Sequence, residues 1–201
     1  MVAVSRTEGD LAALERGVSG VVGEPADTGS EADVERVAAR AESLGRITAW
    51  VNAAAVLERT SFAQLDSSRW RATMRVDLDG VFLCCSAAFR RMAGSGGGAI
   101  VNIASLSGVA HVEKFPGLTA YNVAKAGVIA LSEAVALEGR SAGVRCICVS
   151  PGAVDTAMLR QANPDLRARM SADDMSAIIE FLLSPAAAPL SGTNIPIFSN
   201  A

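Results

Sequence analysis

Tyr121-Asn122-Val123-Ala124-Lys125, with Ser105 16 positions before the tyrosine, is the part of this chain whose residue types and spacing could do chemistry. Four residues along a helix bring two side chains to one face, a turn apart. A tyrosine with its pKa near 10 is a poor acid or base at neutral pH. A cation about 4 Å away favours the phenolate by roughly 4 kcal/mol at an effective dielectric near 20. After desolvation, a lowering of about one to three pKa units is expected. Ser105 would then hydrogen-bond a substrate oxygen where charge develops. Such a set suits moving a proton on or off a carbonyl or hydroxyl oxygen. A tyrosine and a lysine one turn apart also occur on plain helix surfaces, so the spacing alone leaves both readings open. Tyr121 is the only tyrosine, and Lys114 and Lys125 are the only lysines.

Short apolar runs alternate with longer helical patterns along the whole chain, which predicts one α/β domain over residues 1–201, with a parallel sheet covered on both faces. Strands are expected at 1–5, 18–23, 47–52, 99–103, 144–149 and 194–198. Helices are expected at 8–16, at 67–93 with Ser67 or Ser68 as N-cap, at 120–140, and as two short pieces in the last third. Val34, Val37, Ala38, Ala41 and Leu44 recur at helical spacing, with Gly45 as the stop. In open parallel sheets ligands bind at the carboxyl ends of the strands. The loops after Asn52, Ile103 and Val149 should therefore line one site.

Composition narrows the partners. The 201 residues carry a net charge of −3, which gives no basic footprint for nucleic acid. No run of about 18 apolar residues and no basic-then-apolar N-terminus suggests a membrane span or signal. A cytoplasmic protein without a membrane partner is the expectation. Cys84, Cys85, Cys146 and Cys148 lack metal or redox spacing and read as buried thiols. His111 is the only histidine, so a multi-histidine metal site is excluded, and no metal is expected.

Several segments, in order, resemble the short-chain dehydrogenase/reductase family. Val51-Asn52-Ala53-Ala54-Ala55 is similar to the family's Asn-Asn-Ala-Gly segment, and Val101-Asn102-Ile103-Ala104-Ser105 to its strand ending in the catalytic serine. Tyr121 and Lys125 match its Tyr-x-x-x-Lys pair. Pro151-Gly152-Ala153-Val154-Asp155-Thr156 resembles the loop over the nicotinamide. The resemblance implies a Rossmann-like, doubly wound, three-layer αβα fold and hydride transfer between a nicotinamide cofactor and a small carbonyl or alcohol. Tyr121 would pass the proton, Lys125 would clamp the nicotinamide ribose and lower the tyrosine pKa, and Ser105 would orient the substrate. By position, Asn52, Ala53 and Ala54 would lie along the cofactor, with Pro151 and Gly152 beside it. Val154 and Thr156 would contact its carboxamide, and Asp27 would bond the adenine. Ser5-Arg6-Thr7 lacks the acid that holds the 2′-hydroxyl of NAD, and Arg6 is placed for a 2′-phosphate, so NADP is expected over NAD. The two long helices imply a homodimer or homotetramer.

The chain also departs from the family pattern. It starts at what resembles the second strand; the first strand and its Gly-rich turn have no counterpart in it, so the fold is expected to be N-terminally incomplete. That strand would sit mid-sheet, so two sheet pieces should either close up in a new order or keep open edges. Asp77 stands where the family has an asparagine in the relay behind the lysine, and would stabilise charged Lys125 while weakening its pull on Tyr121. The stretch between Ser105 and Tyr121, with His111, Lys114 and Phe115, is expected to shape the substrate pocket, and 159–172 to form a mobile lid. A non-catalytic member that keeps the core and the oligomer surface is the alternative.

Overall fold

The computed structural model describes residues 1–163 and 165–199. Its elements alternate as the sequence pattern predicts: β1 (Val2–Ser5), α1 (Glu8–Gly17), β2 (Val22–Pro25), α2 (Glu31–Leu44) and β3 (Ala49–Asn52) come first. Then follow α3 (Ser67–Met74), α4 (Gly80–Ala93), β4 (Gly98–Ile103), α5 (Thr119–Gly139), β5 (Val144–Pro151), α6 (Ala157–Ala162), α7 (Ala172–Leu183) and β6 (Asn194–Ile197). All strand pairs are parallel.

The strands form two sheets, β1-β2 and β3-β4-β5-β6. The pieces have not closed up in a new order. One edge of β1 and one edge of β3 stay unpaired, the open form of the two arrangements expected. α2, α4 and α5 cover one face, where Ile100 and Cys146 of the sheet meet Cys85 and Met92 of α4 and Val128 of α5. α7 covers the other, packing Met175 and Leu182 on Val101, Ile147 and Val149. β4 and β5 are therefore buried on both sides, which is why their sequences are continuous apolar runs.

Three local expectations need correction. β2 begins at Val22, not Val18, because α1 runs to Gly17 and the chain turns at Gly20 with φ +78° before extending. The N-cap of α3 is Asp66, whose carboxylate accepts from the Ser68 and Arg69 N–H groups at 2.8 and 2.9 Å, and not a serine. The expected single helix over 67–93 is one rod interrupted by a π-helical turn at Arg75–Asp79. π-turns often mark functional sites, and this one holds Asp77 inside the protein.

Candidate functional site

β4 ends at Ile103, and Ser105 follows in extended conformation, its hydroxyl accepting from the Ser107 N–H at 3.1 Å. Across from it, the first turn of α5 presents Tyr121. The Ser105 hydroxyl comes close enough to Tyr121 to favour its phenolate, so the fold brings the two residues together despite the long intervening loop. Lys125, one turn on, is buried at 2% exposure. Its Nζ lies 5.6 Å from the centre of the Tyr121 ring and donates to the Ile103 carbonyl at 3.1 Å. A tight approach of chain segments fixes this arrangement. A Cβ on Gly108 would stand 2.5 Å from the Lys125 carbonyl carbon and 2.7 Å from the Ala126 nitrogen.

Asp77 is fully buried behind the lysine. One carboxylate oxygen accepts from the Val56 N–H at 2.7 Å, and the other has no hydrogen-bond partner. Burial pushes its pKa up to about 6, against the pull of Lys125 and of the Val56 N–H. Burial pulls the Lys125 ammonium below its ordinary value, and Asp77 opposes that.

Tyr121 departs from expectation. Burial of its hydroxyl pushes the pKa up to about 12; the Ser105 hydrogen bond favours the phenolate, and the Asp77 charge disfavours it. The expected lowering by Lys125 is not found in this chain, because the ammonium is turned toward the Ile103 carbonyl and desolvation of the phenolate is the larger effect.

The cofactor-side residues are less uniformly placed. The Asn52 side chain is locked into a buried polar row: Trp50 Nε1 donates to its Oδ1 at 2.9 Å, and its Nδ2 donates to Asn102 Oδ1 at 2.8 Å. Asn102 in turn donates to Ser132 Oγ at 2.8 Å. The Asn52 amide is thus engaged inside the protein, while Ala53 and Ala54 stand exposed beside it. Asp27 pairs with Arg75 at 2.7 Å and accepts from the Gly29 N–H at 2.9 Å. Those two bonds, with smaller help from Arg6, hold its pKa below the usual carboxylate range. Arg6 is exposed at the end of β1, close enough to Asp27 for the two charges to interact.

Beyond β5, the Gly152 N–H donates to the Ile197 carbonyl, and Pro151 is buried. Val154 bridges to Met170, and Thr156 caps α6 by accepting from the Leu159 N–H at 3.2 Å, which leaves its hydroxyl proton to donate. The segment 159–172 is thus tied to the loop at its base. His111 is exposed with φ +62°, and Phe115 is more than half exposed. Sequence reasoning missed the Ile103 carbonyl, the Val56 N–H and the Asn102–Ser132 row. Only Asn102, a polar side chain inside an apolar strand run, carried a visible signal.

The family model for the short chain dehydrogenases matches residues 1–167. The chain belongs to the short-chain dehydrogenase family. Its relatives include the cis-4-hydroxycyclohexanecarboxylate dehydrogenase of Sinomonas cyclohexanicum, 32% identical over 82% of this chain and 68% of that one. Another is the acetoacetyl-CoA reductase of Allochromatium vinosum, 33% identical over 78% of this chain and 66% of that one. The chain thus spans about two thirds of the length of these relatives. A gluconate 5-dehydrogenase from Burkholderia cenocepacia J2315, solved in complex with NADP and tartrate, is 26% identical. It superposes with a TM-score of 0.87 over 98% of this chain and 82% of that one. The superposition takes in both sheets. In this short-chain dehydrogenase β1-β2 and β3-β6 therefore keep the relative positions they hold in a longer family member.

For a nicotinamide cofactor the residues present fit at one end. Tyr121 and Lys125 offer a hydroxyl donor and a cation close together, Thr156 keeps a free hydroxyl proton, and Arg6 is exposed at the end of β1. No Gly-rich turn between them offers backbone N–H groups to a pyrophosphate.

Proposed function

We propose that this chain is an NADP(H)-dependent oxidoreductase that interconverts a small carbonyl compound and a secondary alcohol. The observation that carries the reading is the convergence of Ser105, just past β4, on Tyr121 in the first turn of α5, with the buried Lys125 one turn behind. The cofactor, when bound, supplies or accepts the hydride. Tyr121, protonated at neutral pH because its pKa is about 12, donates its proton to the carbonyl oxygen during reduction. Ser105 hydrogen-bonds the same oxygen as charge builds on it. Lys125 would clamp the nicotinamide ribose, and Asp77 opposes the loss of its charge on burial. The exposed guanidinium of Arg6 supports NADP over NAD. Among the relatives, a dehydrogenase of a hydroxycyclohexanecarboxylate and a reductase of acetoacetyl-CoA support carbonyl–alcohol chemistry. Exposed Phe82 on α4, with Val123 and Leu137 on α5, supports a homodimer or homotetramer packed through those helices. A cytoplasmic setting agrees with four free, buried cysteines.

A second reading, a non-catalytic member of the fold, is favoured by the open edges of β1 and β3. Fluorescence titration of the purified chain with NADPH, then NADH, separates the two. Saturable micromolar binding with NADPH preferred is the expected result. A folded chain that binds neither cofactor would establish the non-catalytic reading.

A further inference from the structure

The π-helical turn that buries Asp77 begins with Arg75, whose side chain reaches the chain just past β2. Arg75 Nη1 donates to Asp27 Oδ2 at 2.7 Å, and the Gly29 N–H donates to Asp27 Oδ1 at 2.9 Å. The Asp27 N–H itself donates to Asp33 Oδ2 at 2.9 Å in the first turn of α2, so backbone and carboxylate are both held. The Arg75 side chain lies across Gly29. A Cβ there would stand 2.4 Å from Nη1 and 3.1 Å from Cζ, so the guanidinium occupies space that any larger residue would fill. Ser5 and Pro25 are register partners in β1 and β2, which puts Arg6 and Asp27 side by side just past the carboxyl ends of neighbouring strands. An ion pair with side chains 46% and 31% exposed does little to hold a fold. One of the five guanidinium N–H groups is engaged with Asp27, and no other hydrogen bond of the Arg75 side chain occurs among the described residues. Each Asp27 oxygen accepts one bond and retains a second acceptor site. Spare donors and spare acceptors thus stand next to one another, in fixed relation, beside Arg6.

We propose that Arg75 is a specificity-determining residue which, paired with Asp27, reads the nucleobase of the cofactor and selects a 6-aminopurine; the inference rests on the nicotinamide-cofactor reading above. The resemblance marks Asp27 alone for the adenine, and the pairing adds Arg75. A 6-aminopurine offers an amino N–H donor next to a ring-nitrogen acceptor. That edge is the complement of a carboxylate acceptor next to a guanidinium donor. A 6-oxopurine places an oxygen opposite Asp27 instead, so that two acceptors face each other and neither is satisfied. The Arg75 hydrogen bond and the Gly29 N–H hold the Asp27 pKa below its ordinary value. Asp27 therefore stays ionised, offers only lone pairs, and cannot turn donor to suit an oxo group.

The test compares NADPH with its 6-oxo analogue, the reduced nicotinamide hypoxanthine dinucleotide phosphate, by fluorescence titration of the full 201-residue chain. NADPH is expected to bind about tenfold or more tightly than the analogue. Arg75→Met should cut that preference to about threefold or less, chiefly by weakening NADPH. Gly29→Ala tests the same point without altering either partner, because its methyl group displaces only the far end of the flexible Arg75 side chain. It should lower the preference equally, and it keeps the test decisive if Arg75→Met does not fold by circular dichroism. Equal affinity of the parent for the two dinucleotides overturns the proposal, as does a parent-like preference in either folded variant. NADPH bound without discrimination sinks this inference alone. Binding of neither dinucleotide by the folded parent sinks the oxidoreductase reading and this inference with it.

Discussion

Lys125 and Tyr121 sit one helical turn apart with the ammonium 5.6 Å from the ring centre, yet that ammonium spends its hydrogen bond on the Ile103 carbonyl at 3.1 Å. Burial of the phenol pushes its pKa up to about 12, so it is a weak acid with its proton firmly in place, which suits proton donation to a forming alkoxide. Replacing Tyr121 with Phe removes that proton and little else. We expect carbonyl reduction to fall by about 10²- to 10⁴-fold in kcat. The NADPH dissociation constant, measured by fluorescence, should stay within a few fold of the parent. An equal loss in both would show that the hydroxyl serves binding rather than chemistry.

Asp77 links stability and catalysis through its charge. Its folded-state pKa is about 6 against an ordinary 3.8. Below pH 3.8 both folded and unfolded chains hold the proton, so the group contributes nothing. Between about pH 4 and 6 the folded state binds more protons than the unfolded one, and stability falls as pH rises. The loss amounts to about 3 kcal/mol by pH 7. Asp77→Asn should flatten this fall, seen as a smaller difference between urea midpoints at pH 4 and pH 7. In alcohol oxidation, which needs the phenolate, removing the negative charge should also move the alkaline rise of kcat/KM to lower pH.

The order of elements was legible because burial on both faces writes itself into β4 and β5 as unbroken apolar runs, and Gly45 ends α2 where the pattern stops. The pairing of Ser105 with Tyr121 was legible from residue types. What escaped depends on atoms every residue possesses. The Ile103 carbonyl and the Val56 N–H are backbone groups, and nothing in their side chains announces that they hold Lys125 and Asp77. The Asp66 cap was overlooked because two serines beside it also suit the role. The rise in the Tyr121 pKa was missed because the balance of burial against a nearby cation depends on depth and direction, which spacing does not carry.

Arg6 offers a charge test of cofactor choice. The side chain is exposed at the end of β1, near the paired Asp27. Arg6→Glu would place a carboxylate where a 2′-phosphate is expected and where a 2′-hydroxyl could be bonded instead. The ratio of NADPH to NADH dissociation constants should change by about tenfold or more toward NADH, with most of the change in NADPH. An unchanged ratio would mean that Arg6 is a solvated surface residue.

Two glycines separate close packing from mere absence of a side chain. Gly108 lies against the backbone of α5, where a methyl group would stand 2.5 Å from the Lys125 carbonyl carbon. Gly9 lies within α1 with nothing within 4 Å of the same methyl. Gly9→Ala should therefore raise stability by about 0.5–1 kcal/mol, the ordinary helix preference for alanine. Gly108→Ala should lower it by about 1–3 kcal/mol, because backbone rather than a flexible side chain has to move. Urea unfolding of both variants measures the contrast. The same shift pushes α5 away from the strand end that carries Ser105, separating Ser105 from Tyr121. Gly108→Ala should thus lose reductase activity beyond its loss of folded protein, whereas Gly9→Ala should keep full activity.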